Sequence, residues 1–353
     1  MLILRPEEVE GLLTITEAID AVEKAFGDWG AHPEINLARR RLHFGDARLC
    51  WMPALPAGEK TGLRIQSEIL AVSGGVQTYP SRSPLVDILF DTRTALPVAM
   101  ILSSTQRGMT KDGIPLRTSD LMTASISAVG TRRMCRRDSQ TLALLGSGKQ
   151  ARNHLIAMNA IGNFSRVVVY SPTQEHREQF ASEMSALLKL KIEPIANAEE
   201  AISAADIVLA ATNTNDPVLS GKWLRDGTHV TSIVGSNVGM VQSGVIAHKR
   251  REIYDETLKR AAVIGIASRE LAIQDQQGDI YDQVQARELT WDDVVELRDI
   301  VSGKDLGRRD LADVTVFKNN GGQGIAELAI ANVIFTKARE RKLGVEISWG
   351  EGY

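Results

Sequence analysis

The chain has little sulfur to cross-link with: two cysteines in 353 residues, Cys50 and Cys135, far apart and in no CxxC arrangement. A disulfide scaffold is thereby excluded, and a reducing compartment fits. An excess of one charge is also missing. Lys and Arg number 41 against 44 Asp and Glu, a formal net charge of −3, which gives no electrostatic case for a nucleic-acid partner. The cluster Arg39-Arg40-Arg41 is too short for a nucleic-acid arm but suits a small anion. No apolar run approaches the ~20 residues needed to cross a bilayer, and residues 1–8 lack a basic stretch followed by an apolar one. A cytoplasmic protein without a membrane partner is expected. The six histidines are scattered, none in an HExxH pair, so no metal site is assigned. Nucleophilic hydrolysis lacks a GxSxG elbow.

What is present is the composition of a folded chain, 43% hydrophobic and 24% charged, and the length favours two domains. Residues 18–29 place Ala18, Ile19, Val22, Phe26 and Trp29 at helical spacing, with Thr16 as the cap. From residue 39 the pattern alternates. Arg39, Arg41 and His43 share one strand face, Gly45-Asp46 turns the chain, and residues 49–52 return. Further strands are expected at 62–69, 85–90 and 97–102, without intervening helices, hence an antiparallel or mixed sheet. Residues 119–133 read as a helix capped at Ser119-Asp120. Strand and helix then alternate: strands at 141–145, 166–170, 206–211, 229–235 and 252–254, helices to residue 161 and over 173–188. That is the signature of right-handed crossovers and a parallel sheet, an α/β fold. A late strand at 315–317 precedes a long final helix over 325–341.

Gly146-Ser147-Gly148-Lys149-Gln150-Ala151 stands directly after an apolar strand and directly before a helix. In that context Gly146 permits the tight turn, Gly148 admits a pyrophosphate to the backbone, and Ala151 packs helix on strand. The helix N-terminus offers N–H groups and partial positive charge. A nicotinamide dinucleotide is the expected cofactor. The second strand should end in an acid if the ribose carries free hydroxyls, yet the residues are Tyr170-Ser171-Pro172-Thr173, with Arg177 following. Hydroxyls plus a cation favour NADP over NAD, although Arg177 also reads as a solvated helix residue. Thr212, Asn213, Gly235 and Ser236 follow strands at the same sheet edge and are assigned to the cofactor.

These residues bear a resemblance. Leu144-Leu145-Gly146-Ser147-Gly148-Lys149-Gln150-Ala151, with Arg137-Asp138-Ser139, Val314-Thr315-Val316-Phe317-Lys318 and Trp51-Met52-Pro53-Ala54, is similar to the ornithine cyclodeaminase/μ-crystallin family over nearly the whole chain. The resemblance implies a Rossmann-type doubly wound domain, 126–315, inserted into an α+β substrate-binding and dimerisation domain, 1–125 plus 316–353, in a homodimer. It implies hydride chemistry at an amino-acid α-carbon through an imine, and it places Thr123 and Lys318 on the cofactor side, Lys318 alternatively on the surface. The family's carboxylate anchors fall on Arg39, with Arg41 as an alternative; on Arg64, in Gly62-Leu63-Arg64, where the family has Lys; and on Arg117 of Arg117-Thr118, although a count without gaps lands on Met122-Thr123. The alternative reading of Arg39 and Arg41 is as edge-strand cations that discourage aggregation.

Cyclodeamination needs a base to deprotonate the attacking second amine. Where the cyclodeaminase has an acid after its strand, this chain has Asn237, which neither takes nor gives a proton. Asn237 also reads as a cap for the next segment. Arg64 stays protonated. Reduction of a preformed protonated imine asks for less: a carboxylate anchor, an oriented imine carbon and the cofactor's hydride. The expected activity is an imine reductase or amino-acid dehydrogenase on a small amino or imino acid. The alternatives are an ornithine cyclodeaminase, for which Lys60, Lys111 or Asp255 would have to serve as base, and a non-enzymatic NADP(H)-binding protein.

Overall fold

The computed structural model describes residues 1–353 apart from 57–59, 74–75, 106–107, 111, 243, 349 and 351–353. The chain forms two compact units, Met1–Met122 with Gly322–Tyr353, and Thr123–Gly321. The expected boundary before residue 316 would cut the strand Thr315–Lys318, which is hydrogen-bonded on both sides within the second unit. Among the described residues, no helix is long and apolar enough to cross a membrane.

The first unit contains β1 (Leu2–Leu4), β2 (Arg40–Phe44), β3 (Ala47–Ala54), β4 (Lys60–Ser73), β5 (Val76–Arg82), β6 (Leu85–Asp91) and β7 (Pro97–Ser103). The sheet order is Val345–Glu346, β1, β7, β6, β4, β3, β2, with β5 also on β4. All pairings are antiparallel except β1 with β7. Alternation sorts the two faces, as a period of two requires. Met52, Arg64, Asp87 and Ile101 are buried, while their neighbours Trp51, Ile65, Val86 and Leu102 are half-exposed. The helix Gly324–Glu340 packs on β3, β4 and β6 and against the helix Ile15–Ala31. Gly324 lets the helix approach closely, since a Cβ there would stand 3.1 Å from the Pro53 carbonyl oxygen, tighter than ordinary contact. Phe26 and Ile19 are fully buried in this layer, each stabilising by about 1.5–3 kcal/mol. The cap lies further upstream than expected. Thr14, not Thr16, accepts from the Glu17 N–H at 3.2 Å, and Glu17 accepts from the Thr14 N–H at 2.8 Å, a closed capping box.

The second unit is a wholly parallel sheet of β8 (Thr141–Leu145), β9 (Arg166–Tyr170), β10 (Ile192–Ile195), β11 (Ile207–Ala210), β12 (His229–Ser232), β13 (Val263–Ile266), β14 (Val294–Glu296) and β15 (Thr315–Lys318). The order β10-β9-β8-β11-β12-β15-β13-β14 reverses direction at β8, and ligands bind at the carboxyl ends beside such a switch point. The expected strand at 252–254 is only an isolated bridge, Leu219 with Ile253. β10, β13 and β14 went unread because Pro194 interrupts the first, Gly265 the second, and the third is only three residues long.

Candidate active site

β8 delivers the chain to Gly146, whose φ is +109° and whose absent Cβ would lie 2.4 Å from the Ala211 carbonyl oxygen. Its N–H donates to the Tyr170 carbonyl at 2.8 Å. The turn is thus pressed between the ends of β9 and β11, at the switch point. Gly148 is the N-cap of the helix Lys149–Ile161, with φ −82° and ψ −172°, and a Cβ there would meet nothing within 4 Å. That open space is what a phosphate needs to reach the helix's first N–H groups, where the dipole favours an anion. Ala151 is fully buried, closing helix on strand. Ser147, Lys149 and Gln150 are half-buried around the opening. The turn fits a dinucleotide pyrophosphate.

At the end of β9, Ser171 is buried and Thr173 stands at the N-cap position of the helix Gln174–Leu188 without a side-chain bond to it. Arg177 donates to the Ser171 carbonyl at 3.2 Å, which pins its guanidinium beside this strand end. The first acid after the strand is Glu175, exposed on the helix.

The ends of β11 and β12 are held by a residue the sequence did not flag. The buried Glu252 carboxylate accepts five hydrogen bonds: from the N–H and hydroxyl of Thr212 at 2.7 and 2.8 Å, the Ser232 hydroxyl at 2.8 Å, and the N–H groups of Ile233 and Val234 at 2.8 and 3.0 Å. Thr212 is therefore committed to the scaffold, and Asn213 accepts from Arg250 at 2.8 Å. Lys318 is corrected in the same way. It is fully buried, and its ammonium pairs with Asp279 at 2.6 Å and donates to Ser232 at 2.8 Å, so it is neither a surface cation nor free for a cofactor. Beyond β12, Ser236 is buried and donates to the Asp275 carbonyl, whereas Gly235 and Asn237 are exposed, Asn237 in the left-handed region at φ +51°. Next to Lys318, Asn319 donates to the Thr123 carbonyl at 2.9 Å and to the Ser127 hydroxyl at 2.8 Å. Ser127 lies 3.0 Å from His154 Nε2, and His154 Nδ1 is 2.7 Å from the Gln150 carbonyl. A carbonyl only accepts, so Nδ1 carries the proton and Nε2 accepts from Ser127. This buried chain ties Thr123 to the helix that starts at the glycine turn.

In the first unit the strand register builds a row of charge. Arg40 pairs with Trp51, which sets Arg39, one residue before β2, opposite Met52; Met52 pairs with Arg64, Arg64 with Asp87, and Asp87 with Ile101. Arg39 reaches Gly322, where an added Cβ would stand 3.4 Å from a guanidinium nitrogen. Burial pulls the Arg64 guanidinium down to about 10, with Asp87 opposing that shift and Arg117 and Arg39 adding to it, so three guanidinium groups share one field. Arg64 is ion-paired with Glu327 of the helix Gly324–Glu340, and both are buried. Burial pushes Asp87 up to about 7 against the pull of Arg64. Arg41 sits two rungs away, opposite Cys50, on the same face. Arg117 is buried and its carbonyl accepts from the N–H groups of Asp120 and Leu121 at 3.0 and 3.2 Å. The helix is Thr118–Met134, so the Arg117-Thr118 pair opens it, one residue ahead of the expected Ser119 cap, and Met122 is core packing.

The sequence pattern of the ornithine cyclodeaminase/mu-crystallin family matches residues 1–342. The chain belongs to this family. It is 27% identical over 355 residues to a Δ1-pyrroline-2-carboxylate reductase of Bacillus cereus, covering 99% of this chain and 100% of that one. It is 26% identical over 351 residues to the alanine dehydrogenase of Archaeoglobus fulgidus, covering 99% and 98%. The structure of the Δ1-pyrroline-2-carboxylate reductase of Thermococcus litoralis with NADH and L-proline superposes with a TM-score of 0.79 at 26% identity, covering 98% of this chain and 100% of that one.

Arg64, which the resemblance sets at a lysine position, arrives with its own counter-charge, Glu327. The alternative bases do not stand free. Lys60 donates to Asp91 at 3.2 Å, Asp255 is held by Arg251 and by Gln283 at 2.7 Å, and Lys111 lies outside the described residues. Asp87 and Glu327 were missed, although each left a trace. Asp87 occupies the buried phase of Leu85, Asp87 and Leu89, and Glu327 interrupts the apolar run Ile325 to Ala331.

Proposed function

We propose that the chain is an NAD(P)-dependent imine reductase or amino-acid dehydrogenase acting at the α-carbon of a small imino or amino acid. The observation that carries this reading is Asn237: the exposed turn after β12, where a cyclodeaminase needs an acid, holds an amide that cannot deprotonate an attacking amine. The other parts support it. The glycine turn holds a pyrophosphate on main-chain N–H groups, and Arg39 and Arg117 hold a carboxylate by charge-assisted hydrogen bonds. The bound nicotinamide supplies a hydride. Glu252, Asp279 and Lys318 keep the ends of β11, β12 and β15 fixed, so the loops that follow need not reorganise. The relatives that reduce Δ1-pyrroline-2-carboxylate argue for a cyclic or otherwise preformed imine as substrate.

NADP(H) is the preferred cofactor in this reading, because Ser171, Thr173 and Arg177 offer hydroxyls and a cation where an acid would accept from a ribose 2′-hydroxyl. The assembly is a homodimer through the half-exposed sheet face. That face carries Trp51, Ile65, Val86 and Leu102 in one row and ends in Leu42 and Phe44, 61% and 90% exposed, apolar side chains that a second subunit would cover. Light scattering at the mass of one 38.6 kDa chain would refute the dimer.

The deciding experiment is a panel of cyclic imino acids, and of imines formed from 2-oxo acids and amines, run with NADH and with NADPH. Net oxidation of the nicotinamide, faster with NADPH, is expected. Ammonia release from a diamino acid without net cofactor turnover would assign the lyase instead, and cofactor binding without turnover of either kind would leave a binding protein.

A further inference from the structure

The charge row of the first unit contains more than an anion site. Arg64 is already neutralised by Glu327, so the guanidinium groups assigned to a carboxylate are those of Arg39 and Arg117. Two acceptors remain beside them. Oε2 of Glu327 and Oδ1 of Asp87 are buried and have no hydrogen-bond partner among the described residues. Glu327 is 1% exposed and Asp87 1% exposed, so these oxygens do not face bulk solvent. Buried carboxylate oxygens without donors are costly and call for a ligand that brings N–H groups. A plain carboxylate or a 2-oxo acid has no donor to give and would set lone pairs against lone pairs, and a 2-hydroxy acid brings a single neutral O–H without the positive charge.

We propose that Glu327, with Asp87, determines specificity for a zwitterion: Oε2 of Glu327 and Oδ1 of Asp87 accept from the positively charged nitrogen of an imino or amino acid whose carboxylate lies on Arg39 and Arg117. The proposal rests on the reductase reading above and names the residues that would select its substrate. It needs both signs of charge side by side, and the helix Gly324–Glu340 supplies the negative one by lowering Glu327 onto Arg64. Asp87 directly opposes Arg64 across β4 and β6 and adds an acceptor oxygen with or without its proton. Arg64 then acts as a positioning residue, fixing one oxygen of Glu327 so that the other is left for ligand.

The test compares ligand pairs that differ only in nitrogen against oxygen: L-proline against (S)-tetrahydrofuran-2-carboxylate, and L-alanine against L-lactate, each titrated into the full chain with cofactor bound. In the wild-type protein the nitrogen member of a pair should bind at least tenfold tighter. Glu327→Gln keeps an acceptor for Arg64 but turns an N–H toward the ligand nitrogen, so the preference should fall tenfold or more while the oxygen member binds as well or better. Asp87→Asn, which leaves the Arg64 ion pair intact, should show the same selective loss and serves if Glu327→Gln fails to fold. Equal weakening of both members, no change in either variant, or no nitrogen preference in the wild type would overturn the proposal. Because binding is read apart from turnover, a protein that reduces no imine but keeps the preference refutes the reductase reading alone. One that reduces imines with unchanged selectivity in both variants refutes this inference alone.

Discussion

Replacing Gly148 by Ala separates the binding role of the glycine turn from its folding role. The φ of −82° and ψ of −172° are ordinary for alanine, and the added methyl meets nothing within 4 Å. The folding cost is that of alanine at an N-cap, about 0.5–1 kcal/mol. The same methyl occupies the space through which a phosphate approaches the helix N-terminus. Losing two charge-assisted hydrogen bonds at about 1.5 kcal/mol each costs about 3 kcal/mol, and at 1.4 kcal/mol per decade the Kd for NADPH should rise about a hundredfold. Gly146→Ala is the contrasting case. Its φ of +109° and the 2.4 Å approach to the Ala211 carbonyl put strain of about 1–3 kcal/mol or more into the fold itself. Calorimetric titration with NADH and NADPH, beside urea unfolding of each variant, reads both effects. If Gly148→Ala unfolds like the wild type and binds either dinucleotide within about threefold of it, no phosphate sits against Gly148, and the cofactor assignment on which everything else depends is wrong.

Three further outcomes follow from the same reasoning. Arg39→Ala should raise the KM for an imino acid about 10–100-fold, the worth of one charge-assisted contact, with dinucleotide affinity unchanged; equal loss of both would remove Arg39 from the carboxylate site. Glu252→Gln must turn an amide N–H toward donors already aimed at it, so urea unfolding should show a loss of about 2–4 kcal/mol, and a loss below about 1 kcal/mol would mean the five bonds are not formed together. Asp87 has its folded pKa raised from 3.8 to about 7. Between those values the unfolded chain is ionised while the folded one keeps its proton, so stability falls as pH rises through that window, by ~4 kcal/mol at 1.36 kcal/mol per unit. It is flat above it, and Asp87→Asn should abolish the slope; an unchanged slope in the variant would show that Asp87 is ionised throughout.

The parts of the fold that could be read from sequence are those specified locally. Gly146 and Gly148 between an apolar strand and a helix define the dinucleotide turn within a few residues, and the β-branched run at β9 and the periodic helix Ile15–Ala31 are set by their own neighbours. The Arg117-Thr118 pair needed only its helix start corrected by one residue. What escaped depends on pairing over distance. Lys318 and Asp279, or Thr212 and Glu252, are 39 and 40 residues apart, and no local pattern distinguishes a lysine that caps a surface from one sealed against an aspartate. The short strands β13 and β14 escaped for the same reason, being specified by the strands beside them.

Arg64 shows what a residue-by-residue comparison with a family loses. Taken alone, an arginine at a lysine position reads as a conservative change that keeps a cation for the substrate carboxylate. Arginine stays charged where lysine can release its proton, so burying it demands a permanent partner. Here the partner is Glu327, 263 residues away on another element. The pair cancels in charge, so position 64 contributes no net cation to an anionic substrate, while Glu327 places a negative group where the strand alone would have put none. On the proposed reading, the unit's selectivity has to be reckoned from the pair: with the carboxylate on Arg39 and Arg117, the site would reward a ligand that carries positive charge beside it.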